Sequence, residues 1–145
     1  MHEAAARRSA SRVVAFSGGL AAGIPEFMVR KSDAVMPHHV ASFQRAAKAG
    51  VRIAAGADSG TPLNLHGSLL PELELMVKYG MTPLEVIRSA TSVAAEALGL
   101  GGETGRVADG YAADLLAVAG EPGERIGALG DVRLVLARGA IIKLP

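Results

Sequence analysis

The stretch from Val51 to Pro62 constrains the fold more than any other part of the chain. Val51, Ile53 and Ala55 recur with a period of two, Arg52 is the single charge among them, and Gly56, Gly60 and Pro62 break the alternation around Asp58. A period of two is the repeat of a strand, so these residues predict a strand over Val51–Ala57 running into a loop over Asp58–Ser68. Helical patterns flank it closely. Pro37–Lys48 puts Val40, Phe43, Ala46 and Ala47 on one face and ends at Gly50, and Leu69–Tyr79 puts Leu69, Leu73, Met76 and Val77 on one side and ends at Gly80. Helix, strand, loop and helix joined this tightly form the step from which barrels and layered α/β proteins are built.

Thr82-Pro83-Leu84-Glu85 adds the sharpest local instruction. Thr82 can cap, Pro83 suits the first helical position, and Glu85 can reach back to complete a capping box, so a helix must start there. Met81 and Val86 have the spacing of a hydrophobic staple, and Leu84, Ile87, Ala90, Ala94 and Leu98 predict a buried stripe as far as Gly99. Thr91-Ser92 within it marks a kink or a fresh cap. Beyond Gly99 the pattern becomes a glycine-rich loop followed by short alternating runs. Strands are expected over Ala113–Val118, Val132–Ala137 and Ala140–Lys143, with at most one helical turn between Gly120 and Gly130.

Composition narrows the function classes. The 145 residues have the size of one domain, and a hydrophobic content of 50% supports a core. Fifteen basic and fourteen acidic residues leave a net charge of +1 with no basic stripe and 3% aromatics, which gives nucleic-acid binding no support. No apolar run is long enough to cross a bilayer. The lack of cysteine excludes thiolate catalysis and Cys-type zinc sites and fits a reducing, cytoplasmic setting. Arg7-Arg8 ahead of Val13–Ala22 loosely resembles an export signal, but Glu3 before the arginines and Gly18-Gly19 within the apolar part argue against one. Residues 1–22 are left without an assignment.

Asp58 is the first candidate for chemistry. A carboxylate at the C-terminal end of a barrel strand reads as catalytic, whereas an Asp at a strand end also caps turns through its own side chain. The residues alone leave both roles open.

Taken in order, Gly56-Ala57-Asp58-Ser59-Gly60-Thr61-Pro62, His66-Gly67, Glu72-Leu73-Glu74-Leu75-Met76-Val77, Gly80-Met81-Thr82-Pro83-Leu84-Glu85, Ala90-Thr91-Ser92 and Ala94-Ala95-Glu96-Ala97-Leu98-Gly99 resemble the C-terminal part of the metal-dependent amidohydrolase superfamily, in its imidazolonepropionase-like and prolidase-like branch. Gly105–Gly110 and Ala113–Val118 are similar to that family's return into a small β-domain. The resemblance implies a (β/α)8 barrel over residues 23–104 and part of a small β-sandwich over residues 105–145. It implies hydrolysis of a non-peptide or imide-like carbon–nitrogen bond in a small molecule, by water activated on one or two divalent metals, zinc foremost. Asp58 matches the family's strand-8 aspartate, a metal ligand and proton carrier, and His66 matches a residue near the substrate. Ser59 and Thr61 are further candidates for the pocket wall, and Ser59 as a hydroxyl nucleophile has no base except His66.

The family's other ligands, a His-x-His pair, a mid-barrel lysine or glutamate and two further histidines, are not in this sequence. His2, His38, His39 and His66 are its histidines, and His38-His39 are adjacent, so their side chains diverge. A full barrel takes about 250 residues. The expectation is therefore a C-terminal fragment that needs a missing N-terminal barrel portion or pairs with another copy, with exposed apolar faces and poor solubility when alone. The alternative is a non-catalytic remnant or interaction module of the same fold. Three features are set aside: Asp114 belongs to the β-domain entry, Gly99–Gly105 follows a helix and not a strand as a dinucleotide loop would, and Glu72 and Glu74 are expected to face solvent, Glu72 with the option of pointing toward the Asp58 loop.

Overall fold

A computed structural model describes residues 26–59, 66–67 and 69–143. The export-like stretch Arg7–Ala22, and Gly60, Thr61 and Pro62 of the loop, lie outside the described residues. Among the described residues, four helices are followed by a three-stranded antiparallel sheet: α1 Glu26–Lys48, α2 Leu70–Lys78, α3 Pro83–Ala90, α4 Ser92–Ala97, β1 Leu115–Val118, β2 Val132–Ala137 and β3 Ala140–Lys143, with a 3-10 turn Ile126–Gly130 between β1 and β2. The sheet order is β1-β2-β3.

The capping box forms as the sequence requires. Glu85 N–H donates to Thr82 Oγ1 at 3.3 Å, and Glu85 Oε2 accepts from Thr82 N–H at 2.8 Å and from its hydroxyl at 2.7 Å. These bonds hold the Glu85 carboxyl below its usual range, the backbone N–H of Thr82 contributing most. At Thr91 the backbone leaves the helical region, with φ −122 and ψ −95, and its hydroxyl donates to the Ile87 carbonyl at 2.8 Å. The expected break thus separates α3 from α4.

Several boundaries differ from expectation. Helix α1 begins at Glu26 and passes through Pro37. Proline has no N–H to give the Asp33 carbonyl, yet the flanking residues keep the helix continuous; His38 and His39 lie on it and are exposed, as expected. Val51–Ala57 is not a strand, because a strand needs a neighbour with which to exchange backbone hydrogen bonds, and the sheet of the described residues contains only β1, β2 and β3. Its Ala55 N–H donates instead to the Ser89 carbonyl of α3 at 3.0 Å. The expected stripe of α3 and α4 holds in part. Ile87 and Ala90 pack against the core, while Leu84 is 48% and Leu98 76% exposed and Val86, Ser89 and Ala95 are buried. Strand β1 starts at Leu115, two positions after the predicted Ala113; β2 and β3 match expectation.

One core ties these parts together. Phe43 of α1, Ile53, Leu73 and Met76 of α2, Val86 of α3 and Ile126 of the 3-10 turn form it, with Ala46, Ala47, Ala55, Leu69, Val77, Met81, Ile87 and Ala90 packed around them. The sheet is fastened to the helices by close approaches. Gly105 has φ +89, and a Cβ there would lie 2.7 Å from Ala95 Cβ and 2.9 Å from the Thr91 carbonyl oxygen, so only glycine lets this loop lie on α4. Asp114 Oδ2 accepts from the Thr104 hydroxyl at 3.0 Å and Oδ1 from the Arg138 N–H at 2.8 Å, which pins the β2–β3 turn to the loop after α4. Those bonds, Arg138 N–H first, lower the Asp114 pKa. This is a structural clamp, in keeping with the reading of Asp114 as a residue outside the chemistry.

Leu98, Val107, Leu116, Ile141 and Ile142 are exposed. The capping box gives the first test. Thr82→Ala should lower the stability of the chain by about 1 kcal/mol in urea denaturation with an unchanged m-value, the usual loss for a deleted N-cap.

Candidate active site

The core fixes where Asp58 stands. Ile53 is held between α1, α2 and α3, and the chain that continues from it ends at Asp58, whose φ of +48 lies in the left-handed region. Aspartate adopts that region more readily than most side chains. The backbone therefore turns sharply at Asp58 and leaves its side chain exposed. Ser59 follows half-buried, and His66, in a turn with Gly67, is exposed.

The turn that ends α2, with Tyr79, Gly80 and Met81, lines a cleft of about 580 Å³ together with Val51, Arg52 and Ile53 at the start of this segment. Ile53 shares the core with Leu73 and Met76 of α2. Lys48, Arg52 and Arg88 line the cleft, and Asp58 does not.

Glu72 lies in the first turn of α2, and here the structure corrects the expectation that it faces solvent. Glu72 is 3% exposed and its Oε2 has no hydrogen-bond partner among the described residues, while Glu74 is exposed as expected. Glu72 stands one helical turn before Met76, on the face that also carries Leu73, and this spacing was the available signal. Burial pushes its carboxyl from an ordinary 4.5 up to about 7.

The comparisons with known proteins bear on what such a site does. The model of the amidohydrolase family matches residues 5–143. The chain belongs to the amidohydrolase family. Ochratoxinase of Aspergillus niger is 39% identical over 98 residues, covering 66% of this chain and 20% of that protein. A Xaa-Pro dipeptidase with methionine bound in its active site superposes with a TM-score of 0.75 at 34% identity, covering 86% of this chain and 30% of the other. A prolidase complexed with N-methylphosphonate-L-proline does so with a TM-score of 0.73 at 32% identity, covering 85% and 30%. The resemblance is thus to hydrolase enzymes with prolidase-like members, and the chain spans between a fifth and a third of their length. These neighbours imply a (β/α)8 hydrolase fold, of which the described residues form a mixed α/β part.

Amidohydrolases generally use divalent metals. Among the described residues no group of three or more His, Asp and Glu side chains could hold an ion. Asp58 offers one carboxylate, whereas a catalytic zinc takes three protein ligands. The described residues therefore do not fit the metal by themselves.

Glu72 gives this arrangement a pH signature. A carboxyl whose folded pKa is raised favours the folded state fully below its unfolded value of 4.5; that contribution is lost as pH climbs to about 7 and changes no further above it. Chemical denaturation between pH 4 and 8 should show a fall of up to about 3 kcal/mol across this window. Glu72→Gln should remove the Glu72 part of the slope.

Proposed function

We propose that this amidohydrolase chain carries the Asp58 part of an active site that hydrolyses a carbon–nitrogen bond, of amide or imide type, in a small molecule. The observation that supports it is the placing of Asp58 on a left-handed turn at the end of a segment locked into the core by Ile53, within the region that the family model covers. Residues 23–104 then form the C-terminal portion of the barrel and residues 105–145 part of a small β-sandwich domain. Residues 1–22 stay unassigned, and the setting is cytoplasmic.

In this reading Asp58 does two things. Its carboxylate takes a proton from the attacking water and returns it to the departing nitrogen, so that neither hydroxide nor an amide anion has to form free in solution. His66 lies on the substrate side of the same loop. Asp58 would also supply one ligand to a divalent metal, zinc foremost and as one or two ions, which when bound would activate water and polarise the substrate carbonyl; the further ligands it needs are not among the described residues. The remaining ligands come from a further barrel portion, in a longer product of the same reading frame or in a partner chain. The second reading, a non-catalytic remnant, draws its support from the missing three-donor cluster among the described residues.

The test is hydrolysis of a Xaa-Pro dipeptide and of ochratoxin, with metal content, by residues 1–145 and by any longer product of the reading frame. Asp58→Asn should lower kcat by roughly 10²- to 10⁴-fold, the range for removal of a general acid–base group. Unchanged turnover would sink the role of Asp58. Folded protein that hydrolyses neither substrate and binds no metal in any form would favour the remnant.

A further inference from the structure

The segment Val51–Ala57 keeps one backbone edge open. Exposure alternates along most of it: Arg52 and Gly56 are exposed, Ile53 is buried, and Val51, Ala55 and Ala57 are half-buried, as in an extended chain. In such a chain successive N–H and C=O groups also point alternately to two sides. On one side, Val51 N–H donates to the Ala46 carbonyl of α1 and Ala55 N–H to the Ser89 carbonyl of α3, both at 3.0 Å. On the other, the backbones of Arg52, Ala54 and Gly56 neither donate to nor accept from another backbone group among the described residues. A Cβ built on Gly56 would meet nothing within 4 Å, so the space beside it is open. A row of unpaired backbone groups is a template on which another chain adds a strand.

The ends of the segment select the strand that fits. Gly50 has φ +70 and Asp58 φ +48, so a left-handed residue bounds the extended run at each end, and the two are equidistant from Ala54. A two-fold axis at Ala54 therefore brings a second copy into antiparallel register with both ends matched. Ala54 then faces the partner's Ala54, and Arg52 faces the partner's Gly56. These are the residues of the open edge, and each pair falls at a hydrogen-bonded position, where two residues exchange both N–H···O=C bonds.

Charge favours the same register. Arg52 is the single charge of the segment, and here it lies opposite a glycine. At 3.4 Å per residue the two arginines stand about 14 Å apart along the ladder, beyond the Debye length of about 8 Å at physiological salt. A parallel neighbour in register would set Arg52 beside Arg52, and like charges directly opposite are destabilising.

We propose that this chain forms a symmetric dimer through the open edge, the two Val51–Ala57 segments pairing as an antiparallel ladder centred on Ala54. The contact is the same patch on both copies, so assembly closes at two. The pairing is independent of the chemistry at Asp58, whose turn lies beyond the end of the ladder.

The test is sedimentation of residues 1–145 from about 1 µM to 1 mM, a range suited to a small and therefore weak contact. A monomer–dimer equilibrium is expected, with hydrogen exchange at the Arg52, Ala54 and Gly56 amides slowing as the dimer fraction rises. In dimers mixed from isotope-labelled and unlabelled chains, Ile53 and the partner's Ala55 occupy a non-hydrogen-bonded position, with their α-carbons about 4.5 Å apart. A nuclear Overhauser effect between their Hα protons across the two chains is expected. Monomer throughout the range would overturn the proposal, as would a dimer without the Ile53–Ala55 contact. So would slow exchange at these amides in monomeric protein, because another segment of the chain would then hold the edge.

Charge reversal at one position gives a second readout. Gly56 does not have a positive φ, and a side chain there has room and faces the partner's Arg52. Gly56→Glu should lower the dissociation constant and Gly56→Lys raise it, each by roughly 2- to 30-fold, since two symmetric cross-strand pairs are affected. Equal effects of the two substitutions would count against the register, because a change acting only on the fold of one chain does not follow the sign of the charge.

Discussion

The burial of Ile53 is the contact on which the rest of the structure depends. This side chain sits midway along a segment that has no strand neighbours among the described residues, and it is gripped by Phe43, Leu73, Met76 and Val86 from three helices. Full burial of an aliphatic side chain of this size contributes about 1.5–3 kcal/mol, and no backbone ladder supplements it here. The helices align on Ile53, and the position of Asp58 follows from that alignment.

Polar contacts then join the helical part to the sheet. Glu96 of α4 accepts from Arg52 on the core segment and from Arg106, at 3.4 Å, in the loop leading to the sheet. These pairs are exposed, and exposed pairs contribute little. The Asp114 clamp ties the β2–β3 turn to the loop after α4. The firmer link is apolar: Ile126 enters the helical core, and Leu70 Cδ2 lies where a Cβ on Gly130 would be 3.1 Å away. The sheet still presents Leu116, Ile141 and Ile142 to solvent.

Asp58 and Glu72 are carboxyls in opposite settings. Asp58 is exposed on a turn, and Glu72 is 3% exposed in the first turn of α2. Burial disfavours the charged form of Glu72 and raises its pKa to about 7.

Local chemistry was readable in the residues themselves. The capping box, the break at Thr91, β2, β3 and the inward face of α2 at Leu73 and Met76 depend on neighbours a few positions away, so the sequence carries them directly. The ordered motifs likewise pointed to the amidohydrolase family, whose model covers residues 5–143. What sequence could not decide depends on distant partners. Val51–Ala57 has the alternation of a strand but no ladder, because pairing needs another segment beside it. Leu84 and Leu98 fit the pattern of an apolar stripe, yet no neighbour covers them, and they are exposed. Glu72 has the composition of a solvated residue. Only the tertiary packing around α2 buried it, since burial is a property of what surrounds a side chain and not of the side chain itself.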